Sequence, residues 1–96
     1  MITHIVLFKL KDNSPAAVEE AAGVLRAMEG QIAELKSIEV GLDVLHSERS
    51  YDLALITKFD SMEAMEAYQV HPVHQKVIAY MGQVRESSVS VDFESN

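Results

Sequence analysis

Two stretches of this chain are apolar on both of their alternating faces, and nothing else in its 96 residues constrains the fold as tightly. The first, Ile2–Lys11, reads ITHIVLFKLK. Ile2, His4, Val6, Phe8 and Leu10 lie on one side, and Thr3, Ile5, Leu7 and Lys9 on the other. The second, Tyr51–Phe59, reads YDLALITKF, with Tyr51, Leu53, Leu55, Thr57 and Phe59 opposing Asp52, Ala54, Ile56 and Lys58. A period of two, rich in β-branched and aromatic residues, predicts strands. Strands apolar on both faces belong where both faces are covered.

The rest of the chain supplies two helical regions, the second broken by a proline, and two further strands. Asp12, Asn13, Ser14 and Pro15 end the first strand, with Ser14 as an N-cap and Pro15 suited to the first helical position. Val18, Ala21, Ala22, Leu25, Met28, Ile32 and Leu35 then recur at helical steps, which predicts an amphipathic helix over Pro15–Leu35. Gly30 is a candidate early end or kink. Ile38–Leu45 alternates as a strand, and the polar run His46–Ser50 is a turn. Asp60, with Glu63 three residues on, predicts a capped second helix carrying Met62, Met65, Ala67, Tyr68 and Val70. Pro72 interrupts it, leaving His71 as a junction residue and opening a short third helix with His74, Val77, Ile78 and Tyr80. Val84–Phe93 closes the chain as a strand, Val89, Val91 and Phe93 alternating with Ser88, Ser90 and Asp92. Met28, Met62, Met65 and Met81 read as core filler.

The order β-α-β-β-α-β predicts one α+β domain over residues 1–96, of the ferredoxin-like type with a four-stranded antiparallel sheet. Both helices of such a unit cover one face. Whichever row of the two central strands faces them, the other row still contains Ile5 and Leu7, or Val6 and Phe8. It also contains Ala54 and Ile56, or Leu53 and Leu55. Leaving the large ones in water forfeits about 1.5–3 kcal/mol each. Packing the bare face on a second copy avoids that loss, so a homodimer joined through the sheet face is expected.

Composition narrows the function classes. The net charge is −7, which disfavours phosphate backbones and anionic membranes, so neither nucleic acid nor membrane is an expected partner. There is no cysteine, hence no disulfide framework or thiolate metal site. No signal-like apolar segment follows the start, and a chain beginning near Met1 and staying in the cytoplasm is expected. Glycine-rich phosphate loops, G-x-S-x-G and nucleotide fingerprints are missing, so no cofactor is expected.

The densest chemistry lies in Tyr68-Gln69-Val70-His71-Pro72-Val73-His74. On an unbroken helix, residues six apart point to different sides; a break at Pro72 lets Tyr68 and His74 line one cavity. His74 would occupy the first turn of the third helix, where the helix dipole disfavours imidazolium. A neutral imidazole can act as a general base, and Tyr68 can donate to a substrate carbonyl or enolate. The same residues equally serve to cap carbonyls or pack a helix on a sheet. His4 joins the chemistry only if it faces the cavity of His74. His46, in the polar turn, reads as exposed. His71 and His74 alone, without a carboxylate beside them, make no metal site.

Several of these segments resemble the stress-responsive A/B barrel family. They are His4–Lys11, the run Tyr51-Asp52-Leu53-Ala54-Leu55 with Phe59 and Ser61, then Tyr68, His71-Pro72 and His74, and the closing Val91-Asp92-Phe93. The resemblance implies a ferredoxin-like protomer whose dimer forms an α/β barrel. Most members have no assigned reaction. One branch resembles polyketide cyclases, which close an aromatic ring by aldol condensation. The base and its partner in that branch match His74 and Tyr68, and pocket-lining histidines match His4 and His71. Two functions are therefore expected to compete. One is a homodimeric stress-associated protein of unassigned reaction with a small hydrophobic ligand pocket. The other is an enzyme abstracting a proton beside a carbonyl.

Overall fold

The structure, a computed structural model, describes residues 1–95. Its elements are β1 (Ile2–Leu10), α1 (Pro15–Arg26), β2 (Ser37–Leu42), β3 (Leu53–Phe59), α2 (Met62–Val70), α3 (Pro72–Val84) and β4 (Arg85–Glu94). The strands form one sheet in the order β2-β3-β1-β4, and every neighbouring pair is antiparallel. This is the ferredoxin-like α+β fold, with the two doubly apolar strands, β1 and β3, at the centre.

Local chemistry explains where most elements begin. The Ser14 hydroxyl accepts from the Ala17 amide at 3.3 Å, and Pro15 opens α1. Ser61, not Asp60, caps α2, its hydroxyl accepting from the Ala64 amide at 3.1 Å. Pro72 opens α3, as its missing N–H allows, and His71 between the helices is extended at φ −64°, ψ 136°.

The first helix is shorter than its periodicity predicts, ending at Arg26 rather than Leu35. Gly30 adopts φ +78°, a left-handed conformation that no α-helix passes through. Residues 27–36 instead run as successive single turns, among them Gln31 N to Met28 O and Leu35 N to Ile32 O. Met28 and Ile32 are still buried, so the apolar spacing serves the core without a helix. The second strand is also short. It stops at Leu42, and Asp43 folds the following loop by accepting from the amides of Leu45 and His46. Val44 and Leu45, predicted in the strand, are 89% and 75% exposed. Met62, at the first position of α2, is 45% exposed and not core filler; Met28, Met65 and Met81 are core.

The register fixes which row of each strand meets the helices. Ile2, His4, Phe8 and Leu10 of β1 and Leu53, Leu55, Thr57 and Phe59 of β3 are buried on the helix side. Opposite them on β4 stand Ser88, Ser90 and Asp92. The open face carries Ile5, Leu7, Ala54 and Ile56, flanked on β4 by Val89, Val91 and Phe93 at 48%, 53% and 43% exposure. Among the described residues no helix is long and apolar enough to cross a membrane.

Candidate functional site

Strand pairing creates the first half of the site. His4 and Asp92 are directly opposite in the β1–β4 ladder, so both side chains stand on the helix side of the sheet. His4 Nδ1 hydrogen-bonds the Asp92 carboxylate Oδ1. An ionised carboxylate only accepts, so Nδ1 carries a proton and the ring is turned with Nε2 away from Asp92. The backbone of His4 is held as well: the Thr57 hydroxyl, fully buried, donates to its carbonyl at 3.3 Å. A buried imidazole oriented by an acid across a sheet is well defined in direction.

The helix break supplies the second half. His74 is the third residue of α3, as the position of Pro72 predicts, and it is buried. Its Nδ1–H donates to the Gln69 carbonyl at 3.2 Å, across the junction, which leaves Nε2 free. Its ring packs on Tyr68 with centroids 4.0 Å apart and planes tilted by 32°. Burial holds its pKa below the ordinary histidine value, and the nearby imidazoles of His4 and His71 push the same way; the Gln69 hydrogen bond acts against them. Burial therefore leads the shift that the helix dipole alone suggested.

Tyr68 and His71 are close by but differently engaged. Tyr68 is completely buried, its ring 4.8 Å from that of Phe59. Its hydroxyl donates to the thioether of Met28, Oη to Sδ 3.9 Å. Burial raises its pKa strongly, so it remains a neutral phenol. His71 turns its Nδ1 back to accept from the Val73 amide at 3.1 Å, capping α3. His46 lies in the loop after β2, its exposed ring 3.5 Å from Asp43, and takes no part in the cluster. No group of three or more His, Asp or Glu among the described residues could hold a metal ion.

Sequence reasoning missed two members. Asp92 reads as one of several polar residues alternating with Val89, Val91 and Phe93, and only the register reveals its partner 88 residues away. Met28 reads as core, and no local signal links it to a hydroxyl 40 residues on.

A histidine cluster between an antiparallel sheet and a broken helix thus defines a ferredoxin-like protein with a candidate acid–base centre. The chain belongs to the stress-responsive A/B barrel domain family, whose model matches residues 2–95. It is 34% identical over 82 residues to an uncharacterised protein of Streptomyces coelicolor, covering 82% of this chain and 84% of the relative. It superposes on a dimeric ferredoxin-like protein of unknown function from Thermobifida fusca with a TM-score of 0.86 and 32% identity, covering 98% and 90% of the two chains. A dimeric ferredoxin-like protein of unknown function from Bacteroides fragilis gives 0.84 and 30%, covering 98% and 95%.

Proposed function

We propose that this chain works in the cytosol as a homodimer joined through its open sheet face, and that its histidine cluster acts on a small hydrophobic carbonyl compound. The reaction is proton abstraction from the carbon beside the carbonyl. One Nε2 takes that proton, giving an imidazolium and an enolate. The enolate then attacks a second carbonyl of the same molecule, as in an aldol closure, and the alkoxide so formed takes the proton back from the imidazolium, or the enolate is itself reprotonated at carbon. The observation that carries this reading is that buried His74 has Nδ1 tied to the Gln69 carbonyl, leaving its Nε2 free to take a proton, while Asp92 holds the buried His4 ring in place. The lowered pKa of His74 keeps its imidazole unprotonated at neutral pH, as a general base requires. The apolar row Ile5, Leu7, Ala54, Ile56, Val89, Val91 and Phe93 supports the dimer, and the Thermobifida and Bacteroides relatives are described as dimeric.

The test is hydrogen–deuterium exchange at the α-carbon of hexanophenone in D2O, followed by NMR. The protein should accelerate exchange, and His74→Ala should remove most of a general-base effect of about 10²–10⁴-fold. No acceleration by the wild-type protein would sink the enzymatic reading.

A second reading, a stress-associated dimer without a reaction, draws on two other contacts. The Tyr68 hydroxyl is directed at Met28, and His71 is occupied as a helix cap. On that reading His74→Ala lowers stability and no exchange occurs.

A further inference from the structure

Val44 and Leu45, in the loop joining β2 to β3, are 89% and 75% exposed, more than any other large hydrophobic residue among those described. Bare aliphatics scattered singly need no explanation, but these two are adjacent and held out by a shaped loop. The Asp43 amide closes the base of that loop by donating to the Asp52 carbonyl at 3.0 Å. The Asp43 carboxylate accepts from the His46 amide at 2.7 Å, and the Ser47 amide donates to the Ser50 hydroxyl at 3.1 Å. His46 itself takes φ +56°, a left-handed conformation that few residues other than glycine adopt. A loop fastened in this way loses little entropy when its tip meets a partner.

What the tip meets follows from the open sheet face. Leu7 and Ala54 of that face and Asp43 of the loop line one shallow depression, so the apolar surface runs on to the base of the loop. The outward apolar rows of β4, β1 and β3 are centred on β1, whereas β2 presents Ser37, Glu39 and Gly41. A second copy can cover that patch about either of two axes. An axis across the strands lays β2 on β2. Glu39 is level with Ile5, in the middle of the patch, so the two Glu39 carboxylates would oppose each other at a cost. An axis along β1 lays β4 on the partner's β3 and lets each β2 overhang the partner's β4. It also keeps both loops at their own end of the sheet. Leu42, Leu53, Phe8 and Ser88 are level in the register, so the loop after Leu42 comes level with the start of that β4. Val89 stands there 48% exposed. An anionic membrane is a poor occupant for a chain of net charge −7 with Asp43 and Glu48 in the loop itself.

We propose that Val44 and Leu45 form an intersubunit arm, which reaches past the edge of one sheet and packs on the start of β4 in the other subunit, beside the partner's Ser87 and the partner's Val89. This rests on the homodimer proposed above. It adds an orientation and a second contact that lies outside the stacked faces.

The chain has no cysteine, so introduced pairs report on contacts between copies. Within one sheet β2 and β4 are three strand spacings apart, about 14 Å, too far for a disulfide, which needs Cα atoms within about 7 Å. Leu45→Cys combined with Ser87→Cys should therefore form a covalent dimer on mild copper–phenanthroline oxidation, seen on a non-reducing gel. Leu45→Cys combined with Ser37→Cys, the pairing that the other axis favours, should not, and neither should the single variants. Cross-linking through Ser37, or none through Ser87 above the single variants, overturns the proposal. Sedimentation supplies a second readout. Val44→Ser combined with Leu45→Ser should leave the circular dichroism unchanged and raise the dimer Kd by about ten- to a hundredfold, as loss of buried aliphatic surface requires. A wild-type dimer whose Kd that variant leaves unchanged sinks only the arm, whereas a wild-type chain that sediments as a monomer sinks the dimer and the arm together.

Discussion

The two faces of the sheet hold similar apolar residues but meet different surroundings. On the helix side Leu53, Leu55 and Phe59 are buried to 2%, 3% and 0% exposure. On the open side Ile5, Leu7, Ala54 and Ile56 are only half covered, and Val89, Val91 and Phe93 are bare. The apolar areas are also displaced by one strand. Facing the helices, they span β1, β3 and β2, and β4 is polar; facing outward, they span β4, β1 and β3, and β2 presents Ser37, Glu39 and Gly41. β4 is thus the strand where the two roles separate. Its inner row brings Asp92 to His4, and its outer row enlarges the apolar surface left open. A chain that merely needed a core would have no use for three large apolar residues on the exposed row of an edge strand.

That contrast can be broken most sharply from the helix side. Leu55→Ala should cost about 2–5 kcal/mol in denaturant unfolding, the range for a truncated core leucine. The loss should remain when protein concentration is raised. The corresponding change on the open side should behave in the opposite way. Ile5→Asp should leave the subunit fold in circular dichroism but weaken self-association by about 1.5–3 kcal/mol, roughly 10- to over 100-fold in Kd by analytical ultracentrifugation. An Ile5→Asp protein that still sediments as a dimer at micromolar concentration would show that the bare face is not the interface.

Two finer tests concern the cluster on the helix side. His74 has a folded-state pKa below its ordinary value of 6.5, so the unfolded chain binds the proton more readily. Stability should therefore fall as pH drops below about 6.5 and level off below the folded-state pKa. The contribution is complete above 6.5, and His74→Gln should flatten the slope in urea titrations across that window. The smallest effect is expected at Tyr68. Removing a hydroxyl whose partner is a thioether should change stability by no more than about 0.5 kcal/mol, so Tyr68→Phe should keep the wild-type Tm within a few degrees. A large loss would mean that the Tyr68–Met28 contact is a structural bond.

Features set by neighbours in sequence were legible before any coordinates. Alternation identified all four strands, Ser14 and Pro15 marked the start of α1, and Pro72 placed His71 at a junction and His74 in a first turn. Errors arose where two local signals competed. The helical spacing of Met28, Ile32 and Leu35 outweighed Gly30, although a left-handed residue ends a helix whatever follows it. At α2, Asp60 and Ser61 are both good caps; Ser61 has the extended backbone that a cap requires, and its hydroxyl accepts from the Ala64 amide.

What this sequence determined by itself is therefore the set of elements, their order and the surplus of apolar surface over what one helical layer can cover. These follow from the period of side chains along a chain, which is local. Tertiary structure alone decided which row of β1 and β3 turned inward, that Asp92 would meet His4, and that the Tyr68 hydroxyl would end on Met28. Those pairings depend on strand register and on the path of the turns between residues 27 and 36. Register is chosen by the packing of all four strands together, so no short window of sequence contains it.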